Sequence, residues 1–303
     1  MNKGARKLAL PLSQALGAAL VAVLAWAGPA QAYTPKVLRV GFVPSENLQN
    51  ILKKTRPVID ALHRELKLQV VPFVATDYTG IIEAMRANKL DVAFFAPGAY
   101  VLAEKKANAL VILKAQRKGK SFFYSSVITH RDSGIKRLTD LKGKTFAFVD
   151  PASTSGGVYP KVMFLNAGLN PDRDFTRVIY AGGHDAAVLA VLNKKVDAAA
   201  TFSNDTRGED SAWTQFLTKP GEAAAIQAIA FSKPIPSDLI AVHREMEAPL
   251  IQQVRKVFTG MSATPQGRKQ LWDLYRIDAF VDSTPEDFEP VREAFSKVGL
   301  PIK

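Results

Sequence analysis

The 303-residue sequence contains no cysteine. That removes disulfides, thiolate nucleophiles, cysteine-based zinc sites and a lipoprotein anchor from consideration. Histidine is scarce as well. His63, His130, His184 and His243 are the four, and none pairs with another at i,i+4 or as His-x-His, so no metal site is expected. Despite a formal net charge of +12 there is no block of five or more like charges and no basic patch interleaved with aromatics. The scattered cations, Lys114, Arg117, Lys118 and Lys120 among them, read as solvated surface whose field draws in small anions. They do not read as a nucleic-acid-binding face. No Gly-x-Ser-x-Gly nucleophile elbow is present.

What is present is ordinary globular material, 47% hydrophobic and 22% charged, enough for one or two cores. The first residues stand apart. Lys3, Arg6 and Lys7 form a basic start, Leu16 to Ala27 is an apolar run too short to span a bilayer comfortably, and Ala30-Gln31-Ala32 is a small-x-small cleavage pattern. Residues 1–32 are therefore expected to be a signal peptide cleaved after Ala32, which sends the remainder to the periplasm. The alternative is an uncleaved membrane anchor. No later stretch is long and apolar enough to cross a membrane.

From Val37 onward, apolar strand-like runs alternate with helical spacing. Strands are expected over 37–43, 68–74, 91–95 and 110–115, with helices over 48–66, 81–88 and 97–107 between them. Pro57 is expected to kink or divide the first helix. A further β-rich run covers 122–129. The alternation then restarts with strands over 145–149, 176–179 and 196–201 and helices over 158–167 and 184–192. Later strands (226–231, 239–242) and helices (248–260, 265–275) complete the pattern. The spacing predicts an α/β fold with parallel sheets.

A weak internal repeat divides the chain. Lys89-Leu90-Asp91-Val92-Ala93 matches Lys195-Val196-Asp197-Ala198-Ala199, and Tyr78 and His184 each lie 13 residues before the aspartate of their copy. Two similar lobes follow, each offering helix starts at the carboxyl ends of its strands, a layout that places a ligand in the cleft between them. Lobe 1 is expected over 33–128 and lobe 2 over 129–238. Residues 239–303 are expected to return to lobe 1 and add C-terminal helices.

The most distinctive stretch is Asp150-Pro151-Ala152-Ser153-Thr154-Ser155-Gly156-Gly157, which lies between an expected strand and an expected helix. Three hydroxyls and two glycines at a helix start serve either as a plain N-cap or as a cradle for an anion, because the first turn of a helix leaves backbone N–H groups unpaired.

In these segments the sequence resembles the periplasmic substrate-binding proteins of phosphonate, phosphite and phosphate ABC importers. The resemblance is carried, in order, by Ala75-Thr76-Asp77-Tyr78, the Asp150–Gly156 segment, Ala181-Gly182-Gly183-His184 and Pro236-Ser237-Asp238. It covers most of the chain from about Leu38 to Tyr275. It implies a two-lobed periplasmic binding protein of type II, each lobe a mostly parallel sheet flanked by helices. It further implies a small phosphorus oxyanion held by Ser153, Thr154 and Ser155, with Tyr78 donating from the other lobe and His184 from the second repeat. Asp238 would accept from a protonated oxygen or pair with an ammonium on the ligand. The implied partner is the membrane permease of an ABC transporter. The implied molecule is a monomer with no cofactor and no catalytic activity.

The sequence departs from the resemblance at two places. Phe123 falls where members that take aminoalkyl phosphonates carry a tyrosine, and Tyr124 is the expected substitute. Asn204 falls at their acidic position, with Asp205 next to it. Both departures weigh against an aminoethyl ligand and leave phosphite, methylphosphonate-like compounds or phosphate. Alternatives from other classes are a two-lobed binder of a sulfonate, nitrate or amino acid, and an exported hydrolase using Ser153, His184 and Asp238.

Overall fold

The computed structural model describes residues 32–300, so the expected signal peptide falls almost wholly outside the described residues. The first lobe opens with β1 (Val37–Phe42), α1 (Leu48–Leu66), β2 (Gln69–Val74), α2 (Tyr78–Arg86), β3 (Val92–Phe95), α3 (Pro97–Lys106) and β4 (Ala109–Gln116). The second contains β5 (Phe122–His130), β6 (Thr145–Phe148), α4 (Tyr159–Asn166), α5 (Pro171–Asp174), β7 (Arg177–Tyr180), α6 (His184–Leu192), β8 (Ala198–Ser203), α7 (Ala212–Phe216), β9 (Ile226–Phe231) and β10 (Ile235–Pro236). The chain then returns through β11 (Leu239–His243), α8 (Ala248–Ala263), α9 (Pro265–Tyr275), β12 (Ala279–Asp282) and α10 (Glu289–Lys297). Among the described residues no helix is long and apolar enough to cross a membrane.

The strand order is β12-β4-β11-β3-β1-β2 in one sheet and β10-β5-β8-β6-β7 in the other, with β9 also on β5. Each sheet is mixed rather than mostly parallel. Pairing is parallel at β2-β1-β3 and at β7-β6-β8. It is antiparallel wherever the returning or crossing strands β5, β11 and β12 insert. Strands joined by helical crossovers run the same way, whereas a strand arriving from the other lobe runs against its neighbours.

The chain changes sheets at 117–121 and again at 237–238. The expected boundary after residue 128 falls inside β5, which pairs along its length with β8 and β9 of the second sheet. Hydropathy does not mark the true crossing, because β4 and β5 are both apolar; the signal lies in the polar turn between them, where Lys118 and Gly119 both adopt positive φ. Pro57 does not divide α1, which runs unbroken for 19 residues. The carbonyl it deprives of a partner belongs to Lys53 on the exposed face, where water can replace the bond.

The repeat seen in the sequence has a structural counterpart. Asp91, fully buried, accepts from Arg39 N at 2.8 Å and tethers β3 to the start of β1. Asp197 accepts from Thr145 N at 2.7 Å and does the same for β8 and β6. Tyr78 and His184 are the first residues of α2 and α6. Both therefore stand at helix starts on the carboxyl side of a strand.

The core is divided in three. Helices α1, α8 and α9 close one face of the first sheet around Phe42, Phe94 and Phe258. A phenylalanine cluster, Phe146, Phe148, Phe164 and Phe175, fills the second lobe. The third cluster spans the lobes and includes α10. Phe288 of its approach turn packs edge-on to Tyr100 of α3 with centroids 5.0 Å apart, and Tyr159 of α4 donates from its hydroxyl to the Pro290 carbonyl at 3.3 Å. The last helix thus bridges both lobes.

Candidate functional site

A cavity of about 610 Å³ lies between the lobes, walled by residues of both and by both crossings. Its second-lobe wall is the hydroxyl-rich segment. After β6 the chain forms a wide helical turn, Thr154–Val158, in which the Val158 N–H reaches the Ser153 carbonyl five residues back at 3.0 Å. Such wide turns are uncommon and recur at functional sites. Its glycines are sterically required. A Cβ on Gly157 would sit 2.1 Å from the Asp150 carbonyl oxygen, and one on Gly156 would sit 2.4 Å from the Val149 side chain. Ser153, Thr154 and Ser155 are each at most 3% exposed.

The hydroxyl bonding leaves protons to give. Ser153 Oγ accepts from Gly156 N at 3.1 Å, capping the turn. Thr154 Oγ1 accepts from Gly98 N of the first lobe at 2.7 Å. Neither bond uses the hydroxyl proton; that of Ser153 is within reach of the Tyr78 phenol. Capping therefore does not exclude a cradle, because a hydroxyl that accepts from the backbone keeps its proton to donate. The Ser155 carbonyl is held by Ser125 Oγ at 2.7 Å, which fixes the segment against β5.

Tyr78 is 1% exposed and lines the opposite wall. Burial, reinforced by the nearby Asp150 charge, holds its phenol well above the usual value, with the Ser153 hydroxyl pulling the other way; it is a neutral donor. Asp150 joins the lobes. Its carboxylate accepts from Ala152 N at 2.7 Å and from Tyr78 N at 3.4 Å, and burial pushes its pKa up against those two donors. His184 is 5% exposed, and burial pushes its pKa down to about 3, so the ring is neutral at physiological pH. Its Nδ1 lies 3.0 Å from Thr201 Oγ1, and its ring stands edge-on to Phe202. Its backbone N–H donates across the cleft to Ser45 O at 2.9 Å, and Asn47 N donates to Asp185 Oδ2 at 3.0 Å.

Asp238 also lines the cavity, at the second crossing. Arg117, from the first crossing, donates to its Oδ2 at 2.6 Å and to the Tyr275 carbonyl at 3.1 Å. The sequence had placed Arg117 among solvated surface cations; it is 9% exposed and on the cavity wall. A second ion pair, Lys54 Nζ to Glu46 Oε1 at 2.6 Å, lines the cavity near the start of α1. The cleft therefore contains three cations, Lys54, Arg117 and Arg276, which the four sequence segments gave no sign of; the first two are each paired with a carboxylate, and the Arg276 guanidinium lies over the Trp272 ring at 5.1 Å.

The six expected residues Tyr78, Ser153, Thr154, Ser155, His184 and Asp238 are brought to this one cavity. Tyr124 is not; its strand position turns Phe123 to the cavity instead, and Tyr124 stands edge-on to Phe122. Asn204 lines the cavity, whereas the Asp205 carboxylate is spent on the N–H groups of Arg207, Glu209 and Asp210 within its own loop. Ser153, His184 and Asp238 are bonded to Gly156, Thr201 and Arg117 respectively, not to one another, so the relay a serine hydrolase needs is not assembled.

Residues 40–288 match the family model described as "ABC transporter, phosphonate, periplasmic substrate-binding protein". The chain belongs to this family. Among members of the phosphonate-binding family, it is 30% identical over 259 residues to the phosphonates-binding periplasmic protein of Escherichia coli K12, covering 82% of this chain and 75% of that one. It is 30% identical over 234 residues to a phosphate-import protein of Mycolicibacterium smegmatis, covering 74% and 71%. The crystal structure of a binding component of a phosphonate ABC transporter from Pseudomonas aeruginosa superposes with a TM-score of 0.79 at 27% identity, covering 87% of each chain. A Prochlorococcus marinus protein crystallised with methylphosphonate shares the fold, with a TM-score of 0.78 at 20% identity over 88% of this chain and all of that one. The family is one of periplasmic transport proteins, and the two-lobed binding-protein fold read from the sequence is the fold observed.

Proposed function

We propose that this chain captures a phosphorus oxyanion, a phosphonate, phosphite or phosphate, in the interlobe cavity and delivers it to the permease of an ABC importer. One observation carries the proposal: hydroxyls from the Ser153–Ser155 turn, the Tyr78 phenol of the other lobe and the neutral His184 ring converge on one cavity. Several uncharged donors aimed at one place suit a tetrahedral anion with oxygens on every side. Hydrogen bonds to a charged group contribute about 1.5–3 kcal/mol each, enough to replace lost hydration when several act together. Asp238, paired with Arg117 at 2.6 Å, supplies an acceptor for a P–OH. A sulfonate or sulfate offers no such proton and would leave that acceptor opposed to an oxygen lone pair. The mature chain begins after Ala32, works in the periplasm as a monomer, and closes its lobes on the ligand by hinge motion at the two crossings.

Isothermal calorimetry against phosphite, phosphate, methylphosphonate and aminoethylphosphonate, with sulfate, methanesulfonate and arginine as controls, tests the proposal. Binding is expected for one or more phosphorus compounds and for none of the controls; the reverse pattern refutes it. Ser155→Ala and His184→Ala are each expected to weaken binding at least about tenfold, or about 1.4 kcal/mol, while the fold persists. Unchanged affinity in either variant removes that residue from the site.

A further inference from the structure

The buried side of His184 carries a group that the ligand site leaves unexplained. Thr201, on β8, is fully buried, and its Oγ1 lies 3.0 Å from His184 Nδ1. Among the described hydrogen bonds this is the only one its hydroxyl makes. Ser126, directly opposite on β5, has a buried hydroxyl with no partner, so it offers Thr201 no alternative. A buried hydroxyl proton without an acceptor costs about 1–3 kcal/mol.

A neutral imidazole has its proton on one nitrogen only, and the bond made by one nitrogen decides the state of the other. If Nδ1 held the proton, Thr201 would have to accept and its own proton would be stranded. The far nitrogen would then turn a lone pair toward the cavity and repel an anion. If Thr201 donates to Nδ1, every proton is used and Nε2 becomes an N–H. Thr201 is not on the cavity wall whereas His184 is, so Nε2 is the nitrogen left for the ligand. We propose that Thr201 is a positioning residue: its hydroxyl locks His184 in the Nε2-protonated tautomer and so makes a neutral ring a hydrogen-bond donor to the bound oxyanion. The role in binding rests on the proposed function; the tautomer does not.

The test has two readouts. In ¹⁵N-labelled full-length mature protein at pH 7, the His184 ring, assigned by its loss in His184→Gln, is expected to show a protonated Nε2 and an unprotonated Nδ1. Thr201→Val is expected to lose that single tautomer and to bind methylphosphonate or inorganic phosphate about five- to tenfold more weakly, the worth of one hydrogen bond. Thr201→Ser, which keeps the hydroxyl, is expected to restore both. A protonated Nδ1 in the wild type overturns the proposal, as does a valine variant with wild-type tautomer and affinity. If Thr201→Val does not fold, the wild-type and Thr201→Ser spectra decide it. Failure of the wild type to bind any phosphorus oxyanion would refute the proposed function and leave the tautomer result standing on its own.

Discussion

The neutral, buried His184 makes the stability of this protein depend on pH in a way that can be isolated. Burial lowers its folded pKa to about 3 from an ordinary 6.5. Between those values the unfolded chain takes up a proton that the folded chain refuses. Unfolding is then favoured as pH falls: the stability is fully present above pH 6.5 and is lost progressively toward pH 3. The slope for one such group is about 1.4 kcal/mol per pH unit, so about 2–3 kcal/mol disappears between pH 7 and pH 4.5. Glutamine at this position does not titrate. Urea unfolding of wild type and His184→Gln at pH 7.5, 6.5, 5.5 and 4.5 should therefore give curves whose difference shrinks with acidification, with the variant gaining on the wild type. Carboxylates and the other three histidines contribute equally to both proteins and cancel. Parallel curves would mean that His184 titrates in the folded protein as it does in the unfolded chain, so that burial does not hold its ring neutral.

Two further outcomes follow from the cleft. Gly98→Ala introduces a Cβ 2.8 Å from the Ala152 backbone carbonyl oxygen of the other lobe, with the Thr154 hydroxyl at 3.2 Å; the helix-propensity gain of up to about 1 kcal/mol does not offset an overlap with backbone, so thermal stability should fall, while ligand affinity drops about tenfold and small-angle scattering shows a more open ligand-saturated form. Equal affinity and an unchanged radius of gyration would mean that the lobes do not meet there in solution. Arg117→Met leaves the Asp238 carboxylate without its counter-charge, and a loss of about 1–3 kcal/mol in unfolding free energy is expected, tempered by the partial exposure of Asp238, together with at least about tenfold weaker oxyanion binding in calorimetry. Wild-type values in both measurements would make the pair incidental.

Much of the fold was legible because its signals are local. Strand and helix positions follow from apolar periodicity, and α6 and α9 occur over the expected residues 184–192 and 265–275. The Lys-x-Asp-x-Ala repeat was legible because each aspartate performs the same structural task in its lobe. What was not legible depends on distance in the chain. The 121-residue separation between Arg117 and Asp238 hides their pairing, and no periodicity marks Arg117 as buried within a basic run. The choice of Phe123 over Tyr124 depends on strand twist and register at the edge of β5, where a one-residue slip exchanges the faces. Thr201 lies inside an apolar run that reads simply as a strand.

The helix α10 that lies against both lobes has a practical consequence for anyone wishing to watch this molecule work. An element packed on α3 and α4 at once touches both lobes, so under the proposed hinge closure a dye attached there is expected to report least on their relative motion. The starts of α1 and α6 meet across the cleft, where His184 N donates to Ser45 O and Asn47 N to Asp185 Oδ2, contacts that the proposed hinge motion would make and break. Leu48 and Leu189 are exposed on those two helices and come from different lobes. A donor and acceptor fluorophore placed on that pair would turn the proposed closure into an optical signal, with α10, in contact with both lobes, as the reference.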